Sequence, residues 1–133
     1  MVGGYEHMVS ASKIAWDTNM LLNIERFKID VFHESKRMLG KVEFIVPRQV
    51  INELEGLSKE GNKLKKEVNI ARELMEKNNV KIIEIEARNA DEALTKMSPE
   101  AIIATNDKEL KDKVRELNGK VLYLRQKKML ELI

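Results

Sequence analysis

Glu43-Phe44-Ile45-Val46-Pro47-Arg48-Gln49-Val50-Ile51-Asn52-Glu53-Leu54-Glu55-Gly56-Leu57 changes its periodicity once, at Pro47, and the change sets the architecture. Up to Val46 the run is short, apolar and β-branched, as a strand prefers. Beyond Pro47, Val50, Leu54 and Leu57 recur at helical spacing. Proline has a pre-set φ and no N–H to satisfy, so it is accepted at the start of a helix. A strand that feeds a helix directly is the half-unit of an α/β fold.

The same alternation extends in both directions. Candidate strands are Lys13–Trp16, Glu43–Val46, Val80–Ile85, Ala101–Ala104 and Lys120–Leu124. Helical patterns cover Ile24–Leu39, Arg48–Leu57, Leu64–Lys77, Ala90–Met97 and Lys108–Leu117. Gly40 and Gly119 stand where helix stops belong, and Pro99 separates the fourth helix from the strand after it. Strands alternating with helices predict a mainly parallel five-stranded sheet, covered on both faces and joined by right-handed crossovers. There is no repeat and no low-complexity tract. Ser58–Lys63 is the most loop-like interior stretch, too short to divide domains. Residues 13–133 read as one domain. Residues 1–12, with Gly3-Gly4-Tyr5-Glu6-His7-Met8, read as an expression scar or frayed end, Met8 being a candidate native start.

The 133 residues suffice for a core without staples, and with no cysteine, disulfides, zinc ribbons and thiol catalysis are excluded. No run is long and apolar enough to span a bilayer, and no secretory pattern opens the chain, so the expected compartment is the cytosol. The 24 Lys+Arg against 22 Asp+Glu give a net charge of +2, too balanced for a strongly basic nucleic-acid binder. The balance does fit acids gathered in one place with bases around them. A charged fraction of 35% suits a heat-loving source, while ten asparagines argue the other way.

Ligands of open parallel sheets bind beyond the carboxyl ends of the strands, so the residues that follow each strand matter most. After the first strand come Asp17, Thr18 and Asn19; after the second, Pro47 to Glu53; after the third, Asn89 to Glu92; after the fourth, Thr105 to Glu109. Each delivers an acid to one edge. Acids at helix starts are commonly caps. Asn89 with Glu92, and Asn106 with Glu109, have capping-box spacing, which leaves Asp91 and Asp107 surplus to capping. Asp17 can cap, but so can Thr18 or Asn19. Glu53 lies about one and a half turns inside its helix. Glu55 flanks the same apolar stripe, and Glu53 is preferred as the one closer to the strand end.

Converging carboxylates repel and raise one another's pKa values, and a divalent cation removes the conflict. Oxygen-only ligands select Mg²⁺ or Mn²⁺, a combination suited to phosphodiester hydrolysis. Rival chemistries are thinly represented. His7 lies in the tail and His33 in an apolar helical run, where a half-buried helix residue is expected. The six glycines form no phosphate-cradling loop. Trp16, at a strand end, is expected in the core.

Ile14-Ala15-Trp16-Asp17-Thr18-Asn19 and Val46-Pro47-Arg48-Gln49-Val50-Ile51-Asn52-Glu53-Leu54 closely resemble the first two motifs of PIN-domain nucleases. Asn89-Ala90-Asp91-Glu92-Ala93-Leu94 resembles the third, and Ala104-Thr105-Asn106-Asp107-Lys108-Glu109-Leu110 the fourth. Val121-Leu122-Tyr123-Leu124-Arg125 then serves as closing strand. Each motif is weak alone, but the ordered set is specific. The resemblance implies a three-layer α/β/α sandwich with an acidic pocket for one or two Mg²⁺ or Mn²⁺ ions. It implies Asp17, Glu53, Asp91 and Asp107 as the catalytic and metal-binding quartet, supported by Thr18, Asn19, Thr105 and Asn106. It also implies RNA as substrate, cut by toxin ribonucleases of the VapC type or by nucleases that trim ribosomal RNA precursors. An antitoxin or a ribosome-assembly protein would be the protein partner, and a homodimer is compatible. The missing cysteines weigh against the branch that carries a zinc ribbon. Arg48, Arg88, Lys108, Lys111, Arg125, Lys127 and Lys128 are the cations expected near the active edge, each of which could equally belong to a solvated face.

Two rivals compete with a nuclease. A receiver-type phosphoacceptor domain has a similar sheet but needs an Asp after its central strand, where Ile82-Ile83-Glu84-Ile85-Glu86-Ala87 offers none. A PIN fold kept only as an RNA-binding or assembly module is the other, since fold does not guarantee chemistry.

Overall fold

A strand can sit centrally in a parallel sheet only if both its faces are apolar, and β1 (Ser12–Trp16) meets that condition with Ile14, Ala15 and Trp16, all fully buried. The computed structural model describes residues 11–133. The first ten residues of the expected tail lie outside the described residues, and Ser12, assigned to that tail by sequence, instead opens β1 opposite Val42. The other strands are β2 (Val42–Pro47), β3 (Lys81–Ile83), β4 (Ile102–Ala104), β5 (Val121–Arg125) and β6 (Met129–Leu132). The sheet order is β3-β2-β1-β4-β5-β6, parallel throughout except for β6, which runs antiparallel to β5.

Helices α1 (Thr18–Arg26) and α2 (Val31–Leu39) join β1 to β2, and α3 (Arg48–Leu57) and α4 (Asn62–Lys77) join β2 to β3. Helix α5 (Ala90–Met97) leads to β4, and α6 (Lys108–Glu116) to β5. The chain steps outward from β1 to β3, then returns past β1 to β4 and β5. Right-handed crossovers in opposite directions put helices on both faces, which is the α/β/α sandwich expected. The reversal falls between β1 and β4, where Trp16 pairs with Ala104, and the crevice beyond these two strand ends is the topological switch point.

Packing fixes the helices relative to that crevice. Trp16 on β1, Phe44 on β2 and Phe32 on α2 form a buried aromatic triangle with centroids 4.9–5.9 Å apart, every pair edge-to-face. Helix α5 packs on β1 and β2, and its Ala93 and Leu94 are fully buried. Trp16 is therefore core, as expected.

Further features depart from the sequence reading. The strand expected over Val80–Ile85 is confined to Lys81–Ile83. The helix expected over Ile24–Leu39 is two helices. Lys28 turns left-handed (φ 53°), and Asp30 caps α2 by accepting the Phe32 and His33 N–H groups at 3.1 and 3.0 Å. The apolar series Ile24, Phe27, Val31 and Phe32 runs on across the break and hides it. The sixth strand, β6, adds to the five expected. Gln126 and Lys127 turn the chain with φ of 53° and 60°, as primed hairpin turns require, but lack the Asn-Gly signature that announces one. Gly119 has a different role from a left-handed helix stop, since Asn118 takes that conformation (φ 62°). A Cβ at Gly119 would fall 2.0 Å from Ser98 Oγ and 2.8 Å from Val114 Cγ1, so the position accepts only glycine. Gly40, at φ 73°, does end α2 as expected.

Candidate active site

Asp17 is the first residue beyond β1. Its N–H extends the ladder to β4 by donating to the Ala104 carbonyl at 3.1 Å. It is also the N-cap of α1, Oδ1 accepting the Met20 N–H at 2.7 Å, so neither Thr18 nor Asn19 takes that role. Its other oxygen, Oδ2, accepts a short hydrogen bond from the Thr105 hydroxyl, beyond β4. Thr105 Oγ1 in turn accepts the Asp107 N–H at 3.0 Å. Thr105 is fully buried and Asp17 is 7% exposed. Burial pushes the Asp17 carboxyl up to about 6. The bonds from Thr105 and the Met20 N–H oppose the rise, and the charges of Asp107 and Asp91 add to it.

Asp107 and Asp91 lie close enough for their charges to act on Asp17, and Glu53 is linked to the same place through Thr18 and Asp91. Asp107 caps α6, its Oδ1 accepting the Leu110 N–H at 2.9 Å. Glu53 accepts from the Thr18 hydroxyl at 3.3 Å. Loss of solvation raises its pKa, the Thr18 bond opposes, and the charge of Asp91 adds. Asp91, in the first turn of α5, thus acts on both Asp17 and Glu53. None of the four has a Lys or Arg partner within ion-pair distance among the described residues, whereas nearby Glu84, Glu92 and Glu109 do.

The capping boxes expected here are not made. Asn89 does cap α5 by accepting the Glu92 N–H at 2.9 Å, but the Glu92 carboxylate turns to Arg88 at 2.6 Å and Lys96 at 3.5 Å. Asn106 does not cap α6 at all. Its amide exchanges two bonds with the Leu124 backbone, at 2.9 and 2.7 Å, and so ties the site to β5. With Asn106 thus engaged, Asp107 takes the cap, and Glu109 pairs with Lys113 at 3.6 Å. Asp107 is therefore not surplus to capping. Asn19 is exposed on α1.

The expected cations divide. Arg48 holds Glu84 at 2.6 Å, Arg88 holds Glu92, and Arg125 holds Glu131 at 3.3 Å. Lys111 lies over the Tyr123 ring and Lys127 over the Phe27 ring, 5.4 and 5.3 Å from the centroids. Lys108 and Lys128 are exposed. His33 is exposed rather than half-buried, because the break before Asp30 resets the phase of α2.

One positioning residue escaped the sequence reading. Gln49, in the first turn of α3, donates through Nε2 to the carbonyls of Ile85 and Ala87 at 2.8 and 3.2 Å. It clips the segment after β3 against the helix that carries Glu53, and that segment leads into Asp91. A polar residue just after Pro47, on a half-buried helix face, is the only signal the sequence holds; its partners are carbonyls 36 and 38 residues away.

Similarity to known proteins points the same way as this geometry. Residues 14–127 match a family described as "PIN like domain". Ribonuclease VapC4 of Methanocaldococcus jannaschii is 39% identical in an alignment 127 positions long that covers 90% of this chain and 95% of that protein. Among solved structures, the PIN domain endonuclease Utp24 superposes with a TM-score of 0.73 over 90% of both chains, at 21% identity. A domain of a functionally unknown protein from Methanocaldococcus jannaschii gives 0.58 over 86% of this chain and 92% of its own, at 20% identity. At such identities the two structures speak for the fold alone. The receiver-type alternative falls. Matched by the family from β1 through the β5–β6 turn, and by a relative over nine-tenths of its length, the chain belongs to the PIN-like domain family.

Proposed function

We propose that this chain is a ribonuclease that hydrolyses RNA phosphodiester bonds with the help of Mg²⁺ or Mn²⁺ held by Asp17, Glu53, Asp91 and Asp107. The carrying observation is Asp17: buried at the switch point, without a Lys or Arg partner among the described residues, and raised to about 6 by that burial, with Asp107 and Asp91 adding to the rise. Four acids left unneutralised beside well-paired neighbours make a place for positive charge that the described residues do not supply.

The donor set fits such an ion. All the candidate ligands are oxygens, which suits Mg²⁺ and Mn²⁺ and not zinc. Among the described residues no group of three or more acidic or histidine side chains stands close enough together to hold a metal ion, so the proposed quartet would have to draw together as the ion binds. Each Asp17 oxygen accepts one hydrogen bond and retains a lone pair, and Asp107 Oδ2 accepts none among the described residues. When bound, such an ion supplies positive charge against the phosphate and eases deprotonation of a water. The chain's own part is orientation. Thr105 fixes the Asp17 carboxylate, Thr18 steadies Glu53, Asn106 anchors the site to β5, and Gln49 holds the approach to Asp91.

The name carried by the 39% identical relative, a VapC ribonuclease, favours a toxin-type enzyme with a small antitoxin as partner over a role in ribosomal RNA trimming. A cytosolic site of action and a homodimer belong to the same reading, and no helix among the described residues is long and apolar enough to cross a membrane. The test is incubation of the purified chain with labelled single-stranded RNA, with Mg²⁺, Mn²⁺ or EDTA. Cleavage with either metal and none in EDTA is expected; intact RNA under all three conditions would overturn the proposal.

A further inference from the structure

Beside the acidic site, two turns meet. The β5–β6 turn rises from the carboxyl end of β5, the same edge that carries Asp17 and Asp107. It is joined to the site by Asn106, whose two bonds to Leu124 lie one residue from Arg125. The second turn, residues 27–30, follows α1. Lys127 of the first lies over the ring of Phe27 in the second. Between them is a surface cavity of about 390 Å³ that presents Lys28, His33, Lys127 and Lys128.

The backbone singles this place out. Among the described residues, five non-glycine positions have left-handed φ. Asn79 and Asn118 are asparagines, which adopt it readily; the other three, Lys28, Gln126 and Lys127, all lie where these two turns meet. At Gln126 and Lys127 the hairpin turn requires that conformation, and at Lys28 the break between α1 and α2 does. Two of these three positions, Lys28 and Lys127, are lysines. Lys127 and Lys128 have no carboxylate partner among the described residues, while Lys28 pairs with Glu25. The acids at the rim are engaged. Asp30 caps α2, and Glu34 holds Arg37 at 2.7 Å.

The geometry points to a phosphate-binding saddle, formed by Lys28, His33, Lys127 and Lys128, that grips the backbone of the RNA away from the bond being cut. This rests on the ribonuclease reading and names where its substrate runs. The saddle lies at the far end of helix α1, whose Phe27 cap is about 15 Å along the helix axis from Asp17 at 1.5 Å per residue. It therefore reaches phosphates beyond the scissile one and acts on binding, not on the chemical step.

The experiment compares wild type, Lys127→Gln/Lys128→Gln, Lys28→Gln, and a control, Lys41→Gln/Lys120→Gln, which removes the same charge at the opposite edge of the sheet. Binding of a labelled single-stranded oligoribonucleotide is followed against salt in EDTA, and cleavage is measured with Mn²⁺ on that RNA and on a dinucleotide. The double saddle variant is expected to lower the slope of log K against log salt by about 1.4, two contacts at 0.7 each. It should raise KM on the oligonucleotide at unchanged kcat and leave dinucleotide cleavage as in wild type; the control should change nothing. A salt slope equal to wild type in both saddle variants overturns the saddle, while cleavage by wild type leaves the ribonuclease reading intact. The lowered slope in a chain that binds RNA without cleaving it would instead keep the saddle and overturn the ribonuclease reading. Competition by polyglutamate as strong as by RNA would assign the surface to an acidic protein and also overturn the saddle.

Discussion

The Thr105 hydroxyl donates to Asp17 across the gap between β4 and β1, and the same oxygen accepts the N–H of Asp107. One buried hydroxyl thus links the carboxylate beyond β1 to the backbone of the acid beyond β4. Thr105→Val keeps the shape but leaves the Asp107 N–H and an Asp17 oxygen without their partner. A stability loss of about 1–3 kcal/mol is expected, the cost of unsatisfied buried polar groups. Thr105→Ser, which keeps the hydroxyl, should recover most of it. Urea melts of both variants measure this, and equal stability of the two would show that the hydroxyl does not matter.

Asp17 should govern how stability depends on pH in the metal-free protein. Its carboxyl is raised from 3.8 to about 6, so the folded chain holds this proton more tightly than the unfolded chain does. The favourable contribution is complete below about 4, declines as pH rises through about 6, and is gone above. A rise of this size corresponds to about 3 kcal/mol. Asp17→Asn removes the titration, so its stability relative to wild type should increase between pH 4 and pH 8. A difference that stays flat over that range would contradict the burial argument.

Cleavage should fail in both Asp17→Asn and Asp107→Asn while the fold persists, because asparagine retains capping ability but not the charge. Glu109→Gln is the internal control; its carboxylate faces Lys113 on the surface and is expected to be dispensable. Rates and melting temperatures of the three variants would be compared. Wild-type cleavage by either aspartate variant removes that residue from the catalytic set.

Mn²⁺ should raise the melting temperature of wild type but not of Asp17→Asn, since an ion that binds only the folded state stabilises it by about 2.7 kcal/mol at a hundred times its Kd. Thermal scans with and without millimolar Mn²⁺ are sufficient. An equal rise in both proteins would locate the metal elsewhere.

Asn106→Ala separates support from chemistry. It leaves the Leu124 N–H and carbonyl without the Asn106 amide, so a lower melting temperature is expected, with a cost of about 1–3 kcal/mol. Cleavage below the melting transition should largely survive. Loss of cleavage at unchanged stability would instead make Asn106 a catalytic residue.

Local chemistry determined a good deal. The switch of period at Pro47, the apolar residues of β1 and the acids after four strands are all short-range signals. They suffice for the α/β class, for most of the elements and for nominating Asp17, Glu53, Asp91 and Asp107. What the tertiary structure decided are matters of partner choice between distant segments. Asn106 and Asp107 are equally good caps by sequence; Asn106 is drawn away by Leu124, 18 residues on, and only then does the cap fall to Asp107. Gln49 acquires its role from the Ile85 and Ala87 carbonyls, and Gly119 from the approach of Ser98. The split after α1 and the β5–β6 turn are made by Lys and Gln in left-handed conformations they do not prefer. A residue's own propensity opposes those turns, so they exist only because packing between the two turns, Lys127 on Phe27 among it, overrides that propensity once the sheet has formed.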